Sequence, residues 1–130
     1  MPLLFCFGIR EPVARVASHL LPGQALAAYL DDIYAMCSAE MVSEVLALLR
    51  AALRDHTGIP VNTAKTRVRT VVGLPPPHAQ QLGEDAWSSQ GVVTLGTPIG
   101  SQAFIERKLF ERFAKAQALL DEVVAHEGPQ

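Results

Sequence analysis

The sequence predicts an α+β fold in which helices pack against one small antiparallel sheet. Three observations carry that reading. Helical apolar spacing recurs in three separate stretches, short strand-like runs lie between them, and Gly and Pro punctuate the junctions. The order is helix, hairpin, helix, strand, strand, helix. The chain has 130 residues, 49% of them hydrophobic, which suits the core of one small domain or part of a larger one.

The first helix is expected over residues 1 to about 21. Pro2 suits a first helical turn, and Leu3, Leu4, Phe7, Val13, Val16 and Leu20 fall roughly at helical spacing. Pro22 and Gly23 in "LPGQ" end it. "ALAAYL" and "IYAMC" are strand-like runs separated only by Asp31 and Asp32, which predicts a tight hairpin. Ser38 is placed as the N-cap of a second helix with Val42, Val45, Leu46, Leu49 and Leu53 on one face. Glu40 and Glu44 near its start, and Arg50 and Arg54 near its end, suit the helix dipole, and Gly58 stops it.

"IPVNTAKTRVRTV" reads as a turn over residues 62–65 and then a strand, with Arg67 and Arg69 outward and Val68 inward. "GLPPPHAQQLGEDAWSSQG" has no periodicity and reads as a surface loop. "VVTLG" is a short strand and "TPIG" a turn. A long helix runs from about residue 101 to near residue 126, with Ile105, Leu109, Phe113, Ala116 and Leu120 on its apolar side.

Composition narrows the function classes. A formal net charge of −2 and a pI near 6.0 exclude a globally basic chain, so any nucleic-acid role must rest on a local site or on further segments. Cys6 and Cys37 are too few for a disulfide framework, and neither belongs to a CxxC pair. A reducing compartment is the default, and the expected setting is intracellular, nuclear or cytoplasmic. The apolar start is about half the length of a bilayer span and has no basic segment before it, so neither a membrane anchor nor a signal peptide is expected. His19, His56, His78 and His126 show no metal-ligand spacing.

The chemistry concentrates in "AYLDDIYAMC", residues 28–37. Two adjacent carboxylates repel, and burying one unpaired costs several kcal/mol, roughly. Such a pair persists if it is solvated in a turn, or if a cation offsets its charge. Mg²⁺ favours carboxylate oxygens together with substrate phosphates. An Asp-Asp turn by itself is ordinary turn chemistry. Its flanks set this one apart: an aromatic and a leucine before it, an apolar strand after it, and a basic segment one helix later.

Taken in order, these motifs resemble a family. "AYLDDI" resembles the YxDD box of reverse transcriptases, and "GIPVNTAKTRV" is similar to the G-hydrophobic-x-hydrophobic-N-x-x-K-T segment that follows the family's palm helix. "VTLGTPIGS" is similar to the turn near the primer grip, and "MPLLFCFGI" to the segment after the "QGDP" box. The match spans nearly the whole chain and is nearer to the retroelement, non-LTR retrotransposon type than to the retroviral one.

The resemblance implies a partial polymerase palm: a YxDD-type hairpin plus one or two strands, packed with helices. Residues 1–75 would form the partial palm, with the hairpin near 25–37 and the helix near 39–57. Residues 76–90 would be a loop, and residues 91–130 the end of the palm, with a primer-grip-like strand and turn and a C-terminal helix. It makes Asp31 a metal ligand and Asp32 an auxiliary ligand or a structural residue, with Mg²⁺ or Mn²⁺ as the ion. Tyr29 and Leu30 would lie under the primer end. Lys65 would stand near the incoming nucleotide's phosphates as a proton donor to pyrophosphate. Asn62 and Thr66 would fix its turn, and Gly96 and Gly100 would let backbone approach the primer strand.

The implied partners are an RNA or DNA template-primer, a deoxynucleoside triphosphate, and the N-terminal palm and fingers, with no membrane. The family's first aspartate lies on an earlier strand, so this chain is expected not to polymerise alone. Plainer readings stand beside these. Lys65, Arg67 and Arg69 form a solvated face, Gly96 and Gly100 serve a turn, Cys37 belongs to the core, and Trp87 caps the core or stacks on a base. Two other functions fit parts of the pattern. One is a non-enzymatic retroelement remnant or protein-binding module, self-associating through an exposed sheet edge. The other is a nucleotide cyclase, which lacks support because no Gly-Gly acidic hairpin is present and "NTAKT" is.

Overall fold

A computed structural model describes residues 2–83 and 85–126, with side chains from Phe7 onward. Its elements in order are α1 (Pro2–Ala17), β1 (Ala25–Tyr29), β2 (Asp32–Met36), α2 (Val42–Thr57), β3 (Gly91–Thr94), β4 (Thr97–Gly100) and α3 (Gln102–His126). The fold is α+β, as expected. The single sheet is not: β1 pairs only with β2, and β3 only with β4, as two separate antiparallel hairpins.

The core forms where α1 crosses α2. Ile9 and Val16 pack with Val45, Leu49, Ala52 and Leu53, and Val13, Leu20, Leu26, Ile33 and Cys37 close around them. On α1 the working positions are Ile9, Val13 and Val16, a four-three spacing that keeps one face inward, and Leu20 extends that row just past the helix. Phe7, off that row, is exposed. Met1 and the side chains of Leu3 and Leu4 lie outside what is described. The helix ends at Ala17, short of the expected residue 21, because His19 and Leu20 N–H groups turn back to the Val16 and Ala17 carbonyls. No described helix is long and apolar enough to cross a membrane.

Ser38 makes no side-chain cap bond. A short 3₁₀ turn, Ala39–Met41, follows it, and α2 begins at Val42. Gly58 does end α2, at φ 68°, with its N–H on the Arg54 carbonyl 3.0 Å away. The strand expected around Arg67 and Arg69 reduces to one bridge between Val68 and Trp87. The Val68 N–H donates to Ala86 and its carbonyl accepts from Ser88, and the pairing stops there. Arg67 is exposed as expected, but Arg69 is half-buried.

Residues 76–90 are more than a surface loop. Leu82 and Ala86 are fully buried, Pro76 is buried, and a 3₁₀ turn forms at Ala79–Gln81. The segment is bound to α2, where Ser43 Oγ donates to the Pro77 carbonyl (3.3 Å) and Arg50 Nη2 to that of Leu82 (3.2 Å). "TPIG" is strand β4, and the turn lies one step earlier. Leu95 (φ 48°) and Gly96 (φ 77°) both have positive φ, as a two-residue type I′ hairpin requires.

Gly91 and Gly100 face each other across this second hairpin, and the Phe104 ring lies on them. A Cβ on Gly91 would stand 2.6 Å from Phe104 Cε1, and one on Gly100 2.9 Å from Phe104 Cδ1. Gly100→Ala should therefore cost about 1–3 kcal/mol in a denaturant melt, as overpacking does. Gly8 lies within α1 with nothing within 4 Å of its would-be Cβ, so Gly8→Ala should stabilise by about 0.5–1 kcal/mol.

Candidate functional site

Strand alternation settles where the carboxylates point. Leu26 pairs with Ala35 and Ala28 with Ile33, so these four share one face of the hairpin. Leu26 and Ile33 pack on the core. Tyr29, Asp32 and Tyr34 therefore stand on the opposite face. Asp31 sits in the two-residue turn with Leu30, and both aspartates are exposed.

An open recess of about 500 Å³ lies at this tip, lined by Tyr29, Leu30, Asp31, Asp32 and Leu95. The second hairpin thus meets the first turn to turn. Leu30 (φ 54°) and Leu95 (φ 48°) both hold left-handed backbone, which costs a branched residue about 1–2 kcal/mol each. Strain of this kind gathers where a surface has a task beyond folding.

The Tyr34 hydroxyl donates to Asp32 Oδ2 at 2.9 Å. Burial raises the Tyr34 pKa, the hydrogen bond to Asp32 and the charges of both aspartates add to this, and the Leu95 backbone opposes it. Tyr34 thereby joins Asp32 to the second hairpin. Among the described residues no lysine or arginine forms an ion pair with Asp31 or Asp32. Arg112 lies over the second hairpin's turn, where its Nη2 would stand 3.2 Å from a Cβ on Gly96.

The remaining expected site residues lie on two other features. Asn62 and Thr66 close the turn that carries Lys65. The Asn62 carbonyl accepts from Thr66 Oγ1 (3.0 Å), and its side-chain oxygen from the Lys65 N–H (3.2 Å). Lys65 is exposed and lines neither the tip recess nor a second one of about 330 Å³ formed by Thr63, Ala64, Arg67, Gly83 and Asp85. Gly96 makes the second hairpin's turn, while Gly100 carries Phe104. Trp87 is half-buried against Val68, with its Nε1 buried and unpartnered. Cys37 sits at the core's edge, where burial pushes its thiol pKa up. Among the described residues no group of three or more His, Cys, Asp or Glu could hold a metal ion.

Sequence reasoning missed Tyr34, Leu95 and Arg112. Tyr34 was within reach, since a residue two after Asp32 on a strand shares its face. Leu95 reaches the tip, and Arg112 the Gly96 turn, only through tertiary packing.

An absorbance titration should place Tyr34 above the ordinary tyrosine midpoint, and Asp32→Asn should lower it; equal midpoints in both proteins would refute the link. A raised folded-state pKa makes the linked stability complete below the unfolded value of about 10 and lost as pH climbs through the folded one. Tyr34→Phe should remove that alkaline loss. No family model, curated protein or solved structure matches the chain.

Proposed function

We propose that the chain carries the carboxylate-bearing hairpin of a reverse-transcriptase palm of the retroelement type. The parent reaction would be templated addition of deoxynucleotides to a primer 3′ end. One observation carries the reading. A two-residue hairpin aims Asp31 and Asp32 away from the core, into a recess shared with Leu95 of the primer-grip-like segment.

The donors suit Mg²⁺ or Mn²⁺ in kind, because exposed carboxylate oxygens are what such ions take, with water and substrate phosphates filling the other positions. Asp31 would hold the ion and Asp32 would assist, its second oxygen already engaged by Tyr34. When bound, the ion supplies positive charge for phosphoryl transfer. Lys65 serves in the same proposal as the cation for the nucleotide's phosphates.

Two carboxylates and no third ligand among the described residues make this chain alone a weak metal binder and an inactive polymerase. Mn²⁺ titration followed by electron paramagnetic resonance should show weak binding that Asp31→Asn reduces at least about tenfold, a loss of about 1.4 kcal/mol. Indifference to Asp31→Asn would sink the metal reading. Primer extension by the purified chain, lost in Asp31→Ala, would overturn the inactivity. A non-enzymatic interaction module is the second reading, favoured by the bare apolar face of α3.

A further inference from the structure

The 25-residue helix α3 touches the rest of the chain through its first turns and buries only Phe104. Phe104, Lys108 and Arg112 lie on the side that meets the second hairpin. The adjoining side carries Leu109, Phe113, Ala116, Leu120 and Val123, spaced four, three, four, three. That is a heptad seam. Its large members are bare: Leu109 is 53% exposed, Phe113 71%, Leu120 58% and Val123 55%, and Phe110 beside them is exposed too. Side chains of this size cover on the order of 100 Å² each, so these five offer about 500 Å² of apolar surface per copy, the apolar majority of a standard interface of about 800 Å² per partner. A lone domain leaves only a few hundred Å² of contiguous apolar surface bare, roughly.

We infer that this face is covered by α3 of a second copy of the chain, running antiparallel. Two features of the helix select that occupant and that direction. The first is layer size. Antiparallel pairing centred near Ala118 sets Ala116 against Leu120 and Phe113 against Val123, one larger and one smaller side chain in each layer, as close packing requires. Parallel pairing sets alanine on alanine and phenylalanine on phenylalanine, leaving a gap in one layer and crowding the next. The second is charge. Residues 102–115 hold four basic and two acidic residues, and residues 116–126 hold none basic and two acidic. Antiparallel alignment lays the positive half of each helix beside the negative half of its partner, and parallel alignment opposes like with like. The hairpin tip plays no part, so the inference stands apart from the proposed metal chemistry.

Light scattering on the eluting full chain, across a concentration series, should give twice the 14.0 kDa of one copy. Leu120→Glu and, separately, Val123→Lys should each give a monomer with unchanged helical circular dichroism. Both sites lie far from the core, and the second variant serves should the first misfold. Ala118→Glu, outside the seam, should remain dimeric. Spin labels placed at position 102, with both native cysteines changed to serine, should sit about 48 Å apart along the paired helices at 1.5 Å rise per residue. A monomeric wild type, a dimer indifferent to Leu120→Glu and Val123→Lys, a polydisperse aggregate, or a short 102–102 distance would each overturn the proposal.

Discussion

The two-residue alternation of the first hairpin links the candidate site to the core. Leu26 and Ile33 must face α1 and α2 to be covered, and full burial of such a side chain is worth about 1.5–3 kcal/mol. With that face committed, Tyr29, Asp32 and Tyr34 have nowhere to go but outward. A slip of one residue would turn Asp32 and Tyr34 into the core and Ile33 into water. Hydrophobic burial and carboxylate hydration thus favour the same register. This answers how so apolar a stretch tolerates adjacent aspartates: neither enters the interior.

The second hairpin depends on a different constraint, backbone approach. Phe104 at the start of α3 lies where side chains on Gly91 and Gly100 would otherwise be. That contact sets the direction in which α3 leaves the hairpin and puts Arg112 over the Gly96 turn. The two hairpins are then joined through the segment at residues 76–90, whose Leu82 and Ala86 are fully buried and whose carbonyls accept from Ser43 and Arg50 of α2. The recess at the tip is the outcome of these two anchors meeting. Tyr34 touches Asp32 by its hydroxyl, and the Leu95 backbone offsets part of the rise in its pKa.

Periodicity made the helices legible. Val45, Leu49 and Leu53 announce the buried face of α2, and Gly58 its end, because helix geometry repeats within a few residues and glycine accepts the left-handed conformation at a helix end. The first hairpin was legible for the same local reason, but its turn falls at Leu30 and Asp31, one step before the expected Asp31–Asp32 pair, because Asp32 already pairs with Tyr29 at the start of β2. The second was not anticipated: residues 97–100 read as a turn, since Pro98 and Gly100 suggest one, and Leu95 gives no hint of the left-handed backbone that makes the turn instead. The segment at 76–90 looked like surface because it has no period. Its burial comes from Leu82 and Ala86 singly, and single residues carry no pattern. On α3 the apolar stripe is legible as a stripe, but local pattern does not reveal that the chain itself leaves it uncovered.

The sequence by itself determined the helices, a tight hairpin carrying Asp31 and Asp32, and the closed turn around Asn62 and Thr66. Each follows from interactions among residues close in the chain. Only the tertiary structure decided that there are two small sheets among the described residues, that Leu95 lines the aspartate-bearing recess, that Lys65 stands on a separate turn, and that the long face of α3 is bare. Those outcomes rest on contacts between distant segments, where the fit of Phe104 on two glycines or Leu82 beneath α2 selects one arrangement among many that local preferences would equally allow.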